Sequence, residues 1–226
     1  MKTVIISLGG SIIVPEEIDH DFLKKFKNLI ETFIKKDYRF IIITGGGHTC
    51  RKYNKAASSV CAVHPDDLDW LGIHATRINA HLLRTIFKKD AYEKIIKNPD
   101  ERIKTNKKII IASGWKPGRS TDYVAVKLAE NFKVNEIINL SNIEYVYDRD
   151  PKKFKDAKPA SNMSWKDFRK IVGDRWDPGL NMPFDPVASK KAQELKLKVV
   201  IMKGTNIQNM KNYLEDRNFK GTVIKD

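Results

Sequence analysis

Three short apolar runs, each followed at once by a glycine turn, constrain the fold of this chain more than any other feature. Residues 4–8, 40–44 and 109–112 are rich in β-branched residues and have no polar alternation, which is typical of strands buried on both faces. The glycines that follow them are Gly9 and Gly10, then Gly45, Gly46 and Gly47, then Gly114. Because stretches of helical period separate the runs, we expect an α/β fold with a mostly parallel central sheet between two layers of helices. Such sheets bind ligands at the carboxyl ends of their strands.

The apolar periodicity predicts the remaining elements. Helices are expected over residues 22–33, 48–59, 71–83, 123–132, 164–172, 185–195 and 207–214, the fourth beginning at a Ser120-Thr121 cap. Two more strands are expected over residues 136–140 and 198–202, and residues 222–224 are expected to form an edge strand. Residues 148–162 are rich in Lys, Asp and Pro, so we predict a loop there. This loop is the best candidate for a boundary between two lobes.

Length and composition exclude several classes of protein. A chain of 226 residues is expected to fold as one domain or as two intimate lobes. It contains no run of about 18 apolar residues that would predict a transmembrane helix. The apolar start of the chain is interrupted by Gly9-Gly10-Ser11, which favours a buried first strand over a signal peptide. With only two cysteines, a disulfide scaffold is excluded and a cytoplasmic location is predicted.

The net charge is strongly positive, because 42 Lys and Arg residues stand against 28 Asp and Glu residues, or +14. The basic residues are scattered, and no zinc-finger, RRM or helix-turn-helix signature accompanies them. A basic surface is equally natural for a protein that binds phosphorylated metabolites. The lysines could also be solvated surface residues that bind no partner. We therefore expect no nucleic-acid partner and no membrane partner.

The glycine turns are candidate phosphate-binding loops. Glycine lets the backbone approach an anion closely, and N–H groups at the next helix start can bind it. A single glycine turn more often does no more than end a strand, but three such turns at consecutive strand ends favour a phosphate site. None of them matches a Walker A loop or a dinucleotide fingerprint.

Six segments, in this order along the chain, carry a resemblance to a known family. They are SLGGSIIVP, ITGGGHTCRKY, DWLGIHATRINAHLL, GWKPGRSTDYVAVKLAE, LSNIEYVYDRDPKKFKDAK and FDPVASKKA. Together they resemble the amino acid kinase superfamily and, within it, the uridylate (UMP) kinases of the archaeal type. The resemblance implies the three-layer fold of that superfamily over a single domain, residues 1–226. It also implies an acceptor-binding lobe over residues 1–140 and an ATP-binding lobe over residues 141–226.

The resemblance implies transfer of the ATP γ-phosphate to UMP, with Mg²⁺ accompanying ATP, and it assigns roles to fifteen residues. The residues that it places at the transferring phosphates are Gly9, Gly10, Ser11, Asp122 and Asp185. Those that it places at UMP are Gly45, Gly46, Gly47, Arg51, Asp69 and Thr121. Those that it places at ATP are Ser141, Asn142, Tyr147 and Asp150. No residue is predicted to be a metal ligand, although Asp122 resembles the acid that organises the metal or the cationic clamp.

Simpler structural roles remain open for several of these residues. Asp69, Thr121 and Asp185 stand where helices are expected to begin, so each could be an N-cap. Arg51 could be a solvated helix cation, although a planar guanidinium suits phosphate. Tyr147 could belong to the core.

The chain also departs from the bacterial relatives at positions where they carry lysine. Ser7 and Asn142 occupy those positions, so another cation must assist the transfer. The candidates, which the sequence does not rank, are Lys116, Arg119, Lys190 and Lys203. In addition, Ile143-Glu144-Tyr145 replaces the Val-Asp-Gly of the family, which could reshape the ATP side.

Two other functions compete with UMP phosphorylation. The chain could be another phosphotransferase of the superfamily, acting on a carboxylate, a carbamate or a different phosphate. It could also be a non-catalytic nucleotide or oxyanion binder, similar to the molybdate storage proteins of this fold. By analogy with relatives, we expect a homohexamer built from dimers.

Overall fold

A seven-stranded sheet forms the centre of the protein. The computed structural model describes residues 1–149, 151, 153–175 and 182–226. The strands are β1 (Lys2–Leu8), β2 (Tyr38–Thr44), β3 (Ile109–Ala112), β4 (Glu136–Ser141), β5 (Val146–Tyr147), β6 (Pro159–Ala160), β7 (Asn162–Met163), β8 (Lys198–Lys203) and β9 (Thr222–Ile224). Their order in the large sheet is β3-β2-β1-β4-β8-β9-β7, while β5 and β6 pair antiparallel in a separate ribbon. The first five strands of this order are all parallel, as the apolar runs predict.

Eight helices cover the sheet in the described part of the chain. They are α1 (Gly10–Ile13), α2 (His20–Ile34), α3 (Gly47–Val60), α4 (Pro65–Ile86), α5 (Thr121–Phe132), α6 (Trp165–Val172), α7 (Pro186–Glu194) and α8 (Ile207–Leu214). Side chains cap several of their starts. Asp19 accepts a hydrogen bond from the Phe22 N–H at α2, and Ser164 accepts one from the Asp167 N–H at α6.

The core lies in two layers because alternate residues of each buried strand point to opposite faces of the sheet. Ile6 of β1 packs on one face with Phe26 and Phe33 of α2 and with residues of α4 and α8. Ile5 packs on the other face with residues of α5, α6 and α7, among them Trp165. Full burial of one such side chain stabilises the fold by roughly 1.5–3 kcal/mol. This confirms the predicted sheet between two helical layers.

The structure corrects two of the predicted elements. Residues 222–224 form β9, but β9 lies between β8 and β7, antiparallel to β8, and is not an edge strand. The predicted loop over residues 148–162 contains the two-residue β6 and the start of β7.

In the described ranges, no helix combines the length and the apolar character that crossing a membrane requires. Both cysteines are free.

Candidate functional site

A cavity of about 970 Å³ opens where the carboxyl ends of β1, β2 and β3 meet the starts of α3, α5 and α7. This volume is at the upper end of the range usual for small-molecule sites. Nine predicted site residues lie on its wall, namely Ser11, Gly46, Gly47, Arg51, Asp69, Thr121, Asp122, Asn142 and Asp185. The cavity wall does not include five others, which are Gly9, Gly10, Gly45, Ser141 and Tyr147. Asp150 lies outside the described residues.

The glycine turns after β1 and β2 touch each other backbone to backbone. A Cβ atom on Gly10 would lie 2.0 Å from the Gly47 nitrogen and 2.5 Å from the Gly45 carbonyl carbon. Gly47 also has a φ of +65°, a conformation that other residues rarely adopt. The Gly9 N–H donates to the Leu140 carbonyl of β4 over 2.9 Å, which anchors this pair of turns to the sheet. The two turns therefore form one compact unit.

Arg51 reaches from α3 to the turn after β1. Its Nη1 donates to Ser11 Oγ over 3.1 Å and its Nη2 donates to the Pro15 carbonyl over 3.4 Å. The residue is exposed, but its guanidinium is held at the cavity wall and does not extend freely into solvent. Such a fixed planar fork suits a phosphate group.

Asp69 lies in the second turn of α4, so the N-cap interpretation is wrong. The cap is His64, whose side chain accepts a hydrogen bond from the Asp66 N–H, and Pro65 occupies the first helical position. Asp69 Oδ2 instead accepts a hydrogen bond from the Gly118 N–H over 2.7 Å. This contact ties the third glycine turn to α4 at the rim of the cavity.

At the start of α5 the cap is Ser120, whose Oγ accepts a hydrogen bond from the Tyr123 N–H over 3.1 Å. Thr121 is the first residue of the helix, so the N-cap interpretation is wrong for it as well. Asp185, by contrast, does cap α7 by accepting a hydrogen bond from the Ala188 N–H.

Two carboxyl groups meet at the base of the cavity. Ser7 Oγ donates to Asp122 Oδ1 over 2.8 Å, and the Asp185 N–H donates to Asp122 Oδ2 over 3.2 Å. Burial raises the pKa of Asp122 to about 7, and the nearby charge of Asp185 adds to this, while both hydrogen bonds oppose it. Burial also raises the pKa of Asp185, whose side chain is 4% exposed. Its Oδ2 has no hydrogen-bond partner among the described residues.

Of the four candidate cations, Arg119 is the one that lies on the cavity wall. Asp185 lies on the same wall, and burial raises its pKa while the positive charge of Arg119 opposes that rise. The position of Arg119 directly before Ser120, the N-cap of α5, is the signal that could have ranked it above Lys116 in the same turn.

Sequence reasoning missed two buried polar residues of α4, Thr76 and Asn79, which are 6% and 4% exposed. Thr76 Oγ1 accepts a hydrogen bond from the Gly114 N–H over 2.8 Å. Asn79 Nδ2 donates to the Gly45 carbonyl over 2.8 Å and to the Gly46 carbonyl over 3.3 Å. One helix thus contacts the turns after β2 and β3 through its side chains.

Comparison with known proteins agrees with this arrangement. The profile described as the amino acid kinase family matches residues 2–203. The chain belongs to the amino acid kinase family. The uridylate kinase of Thermoplasma volcanium is 32% identical over 228 aligned positions that cover 100% of this chain and 98% of that protein. The uridylate kinase of Methanospirillum hungatei is 33% identical and covers 99% of this chain and 95% of that protein.

A solved structure of the same family has the same fold. The crystal structure of uridylate kinase from Archaeoglobus fulgidus superposes with a TM-score of 0.83 at 30% identity. The match covers 99% of this chain and 100% of that chain. The amino acid kinase fold therefore extends over nearly the whole chain, including β7, which the sequence did not predict, and β9, which it predicted as an edge strand.

Proposed function

We propose that the protein transfers the γ-phosphoryl group of ATP to UMP and releases ADP and UDP. The observation that supports this most is that Arg51, Asp69, Thr121, Asp122 and Asp185 all lie on the wall of one cavity. Full-length relatives that carry the name uridylate kinase support the choice of acceptor.

In this proposal the unit of the first two glycine turns separates the two nucleotides. Gly45, Gly46, Gly47 and Arg51 bind the phosphate of UMP, and Asp69 and Thr121 contact the rest of the acceptor. Gly9, Gly10 and Ser11 face the transferring phosphates. Ser141, Asn142, Tyr147 and Asp150 belong to the ATP side, within the lobe formed by residues 141–226.

The reaction needs no covalent intermediate. A phosphate oxygen of UMP attacks the γ-phosphorus, a new P–O bond forms, and the bond to the β–γ bridging oxygen breaks, which leaves ADP. No general base is required because the acceptor is already an anion. Catalysis then depends on in-line positioning and on neutralising the charge of the equatorial oxygens. Arg119 is the side chain of this chain best placed to supply positive charge.

Asp122 and Asp185 fit a role in holding the Mg²⁺ ion of Mg-ATP. The unpartnered Oδ2 of Asp185 and the neighbouring carboxyl group of Asp122 offer the oxygen ligands that Mg²⁺ prefers. The described ranges contain no group of three or more His, Cys, Asp or Glu residues that could hold a metal ion. Phosphate oxygens would therefore complete the shell, and the ion would neutralise phosphate charge.

The test is an ADP-release assay on the purified full chain with ATP and Mg²⁺, offering UMP, CMP, AMP and small carboxylic acids in turn. We expect turnover with UMP above all other acceptors. Turnover with a carboxylate or another phosphate would replace the proposed acceptor. Binding of ATP or UMP without turnover would replace the kinase by a non-catalytic binder.

The variant Arg51→Ala tests the acceptor side of the site. We expect the KM for UMP to rise by about tenfold or more, because a charge-assisted contact to phosphate is lost, while the KM for ATP stays unchanged. Arg84→Ala is the control, since Arg84 lies on α4 away from the cavity wall and, among the described residues, donates only to the Glu93 carbonyl. Equal changes in both KM values would contradict the role of Arg51.

A further proposal is that the chain associates with itself through α3 and α4, which pack together. Helix α3 has no buried residue, and the exposed apolar side chains of the two helices include Tyr53 (62%), Val60 (85%) and Ile78 (63%). Light scattering should give a multiple of the 26.0 kDa chain mass, with a hexamer as the expected state. A monomer at all concentrations would refute this proposal. The cytoplasm remains the predicted location.

A further inference from the structure

Asn79 is a buried side chain that the proposed mechanism does not use. It lies on α4 and is 4% exposed, and its amide Nδ2 donates to two successive carbonyls of the turn after β2. These are the carbonyls of Gly45 at 2.8 Å and Gly46 at 3.3 Å. Both glycines belong to the turn that also contacts Gly10.

The two hydrogen bonds contribute to where the turn directs its N–H groups. Asn79 Nδ2 is the closer of two donors to the Gly46 carbonyl, which also accepts from the Cys50 N–H over 3.5 Å. In a trans peptide the C=O and the following N–H point in opposite directions, and the described part of the chain contains no cis peptide bond. When the Gly45 and Gly46 carbonyls point to α4, the N–H groups of Gly46 and Gly47 point away from it. These two glycines lie on the cavity wall, and the described residues offer neither N–H a backbone or side-chain acceptor. Such N–H groups are suited to binding an anion.

We propose that Asn79 is a positioning residue for the acceptor phosphate, because it orients the two peptide planes whose N–H groups face that phosphate. The inference rests on the proposed function, in which this turn binds the phosphate of UMP. Asn79 itself does not touch the nucleotide.

The chain offers a matched control for this role in Asn209 of α8. Asn209 is 6% exposed, its Nδ2 donates to the Lys220 carbonyl over 2.7 Å, and its Oδ1 accepts from the Lys220 N–H over 2.7 Å. It is therefore also a buried asparagine that holds a turn through backbone hydrogen bonds, but it is not on the cavity wall. A general loss of stability should affect both positions alike.

The experiment compares Asn79→Leu with Asn209→Leu in the full chain, since leucine keeps the volume and removes the donor. Isothermal titration measures the Kd of UMP, of uridine and of ATP, and thermal unfolding measures the Tm. For Asn79→Leu we expect the Kd of UMP to rise by about tenfold, which corresponds to 1.4 kcal/mol. The Kd values of uridine and ATP should stay unchanged, because in the proposed function this turn binds the phosphate of UMP, which uridine lacks, and does not bind ATP. Asn209→Leu should lower the Tm without changing any Kd.

The role of Asn79 is overturned if the Kd of UMP is unchanged in Asn79→Leu, or if UMP, uridine and ATP all weaken together. If either leucine variant is insoluble, Asn79→Ala and Asn209→Ala replace the pair and are read in the same way. The proposed function can fail separately, if wild-type protein binds UMP without phosphorylating it. The Kd comparison would then still decide the role of Asn79. Wild-type protein that does not bind UMP would refute both.

Discussion

Replacing Ser7 by alanine tests how the base of the cavity tolerates two carboxyl groups. Ser7 is 4% exposed, and its Oγ donates to Asp122 Oδ1 over 2.8 Å. Burial raises the pKa of the Asp122 carboxyl group to about 7. Because the folded-state pKa exceeds the ordinary value of 3.8, the stability that this group contributes is fully present below about pH 4 and is lost as the pH rises through about 7. Ser7 limits that loss by stabilising the ionised form.

The size of the effect follows from the charge on the acceptor. A hydrogen bond to an ionised group contributes about 1.5–3 kcal/mol and one to a neutral group about 1 kcal/mol. Ser7→Ala should therefore cost about 1 kcal/mol near pH 5 and about 2.4 kcal/mol near pH 9. A difference of about 1.4 kcal/mol between the two conditions corresponds to a rise in the pKa of Asp122 from about 7 to about 8.

Urea unfolding of wild type and Ser7→Ala at both pH values measures this difference. The control is the same substitution in an Asp122→Asn background, where the group that accepts the Ser7 hydrogen bond no longer titrates and the cost of Ser7→Ala should be independent of pH. A cost that is equal at both pH values in the wild-type background would refute the reasoning. So would a larger cost at low pH.

The remaining predictions concern two glycines that differ in their surroundings. Gly10→Ala should abolish soluble protein, because the alanine Cβ would lie 2.0 Å from the Gly47 nitrogen, which is a backbone atom and not the end of a movable side chain. Soluble yield at low temperature measures this, and a yield equal to wild type would contradict the close approach of the turns. Gly118→Ala meets no atom within 4 Å but keeps a φ of +72°, so it should fold and cost about 1 kcal/mol of stability in urea unfolding.

The layered fold could be predicted from the sequence because uninterrupted apolar runs and helical periods are strong signals. The resemblance to the amino acid kinase superfamily assigned Ser11, Asp122 and Asp185 to one site, and all three lie on the wall of the same cavity. The helical period placed the start of α4 too late. The signal for the true start was Pro65 followed by two aspartates, which is typical of a first helical turn.

The contacts of Asn79 and the position of β9 could not be predicted in this way. A polar residue inside an amphipathic helix looks the same in sequence whether it faces solvent or a turn more than 30 residues away, as Asn79 does. A strand of three residues, such as β9, carries too little pattern to specify its neighbours or its direction. Both depend on tertiary packing, which local periodicity does not encode.

The backbone contact between Gly10 and the Gly45–Gly47 turn limits how the site can change by amino-acid substitution during evolution. Because main-chain atoms make this contact, the spacing between the two turns, and in the proposed function the spacing between the two phosphate positions, does not depend on the side chains that recognise base or sugar. Substitutions elsewhere on the wall could exchange the base or the sugar that is recognised and leave the distance between donor and acceptor phosphorus intact. Substitutions at these glycines would disturb both nucleotide positions together, so no series of single changes at them leads gradually to a different spacing.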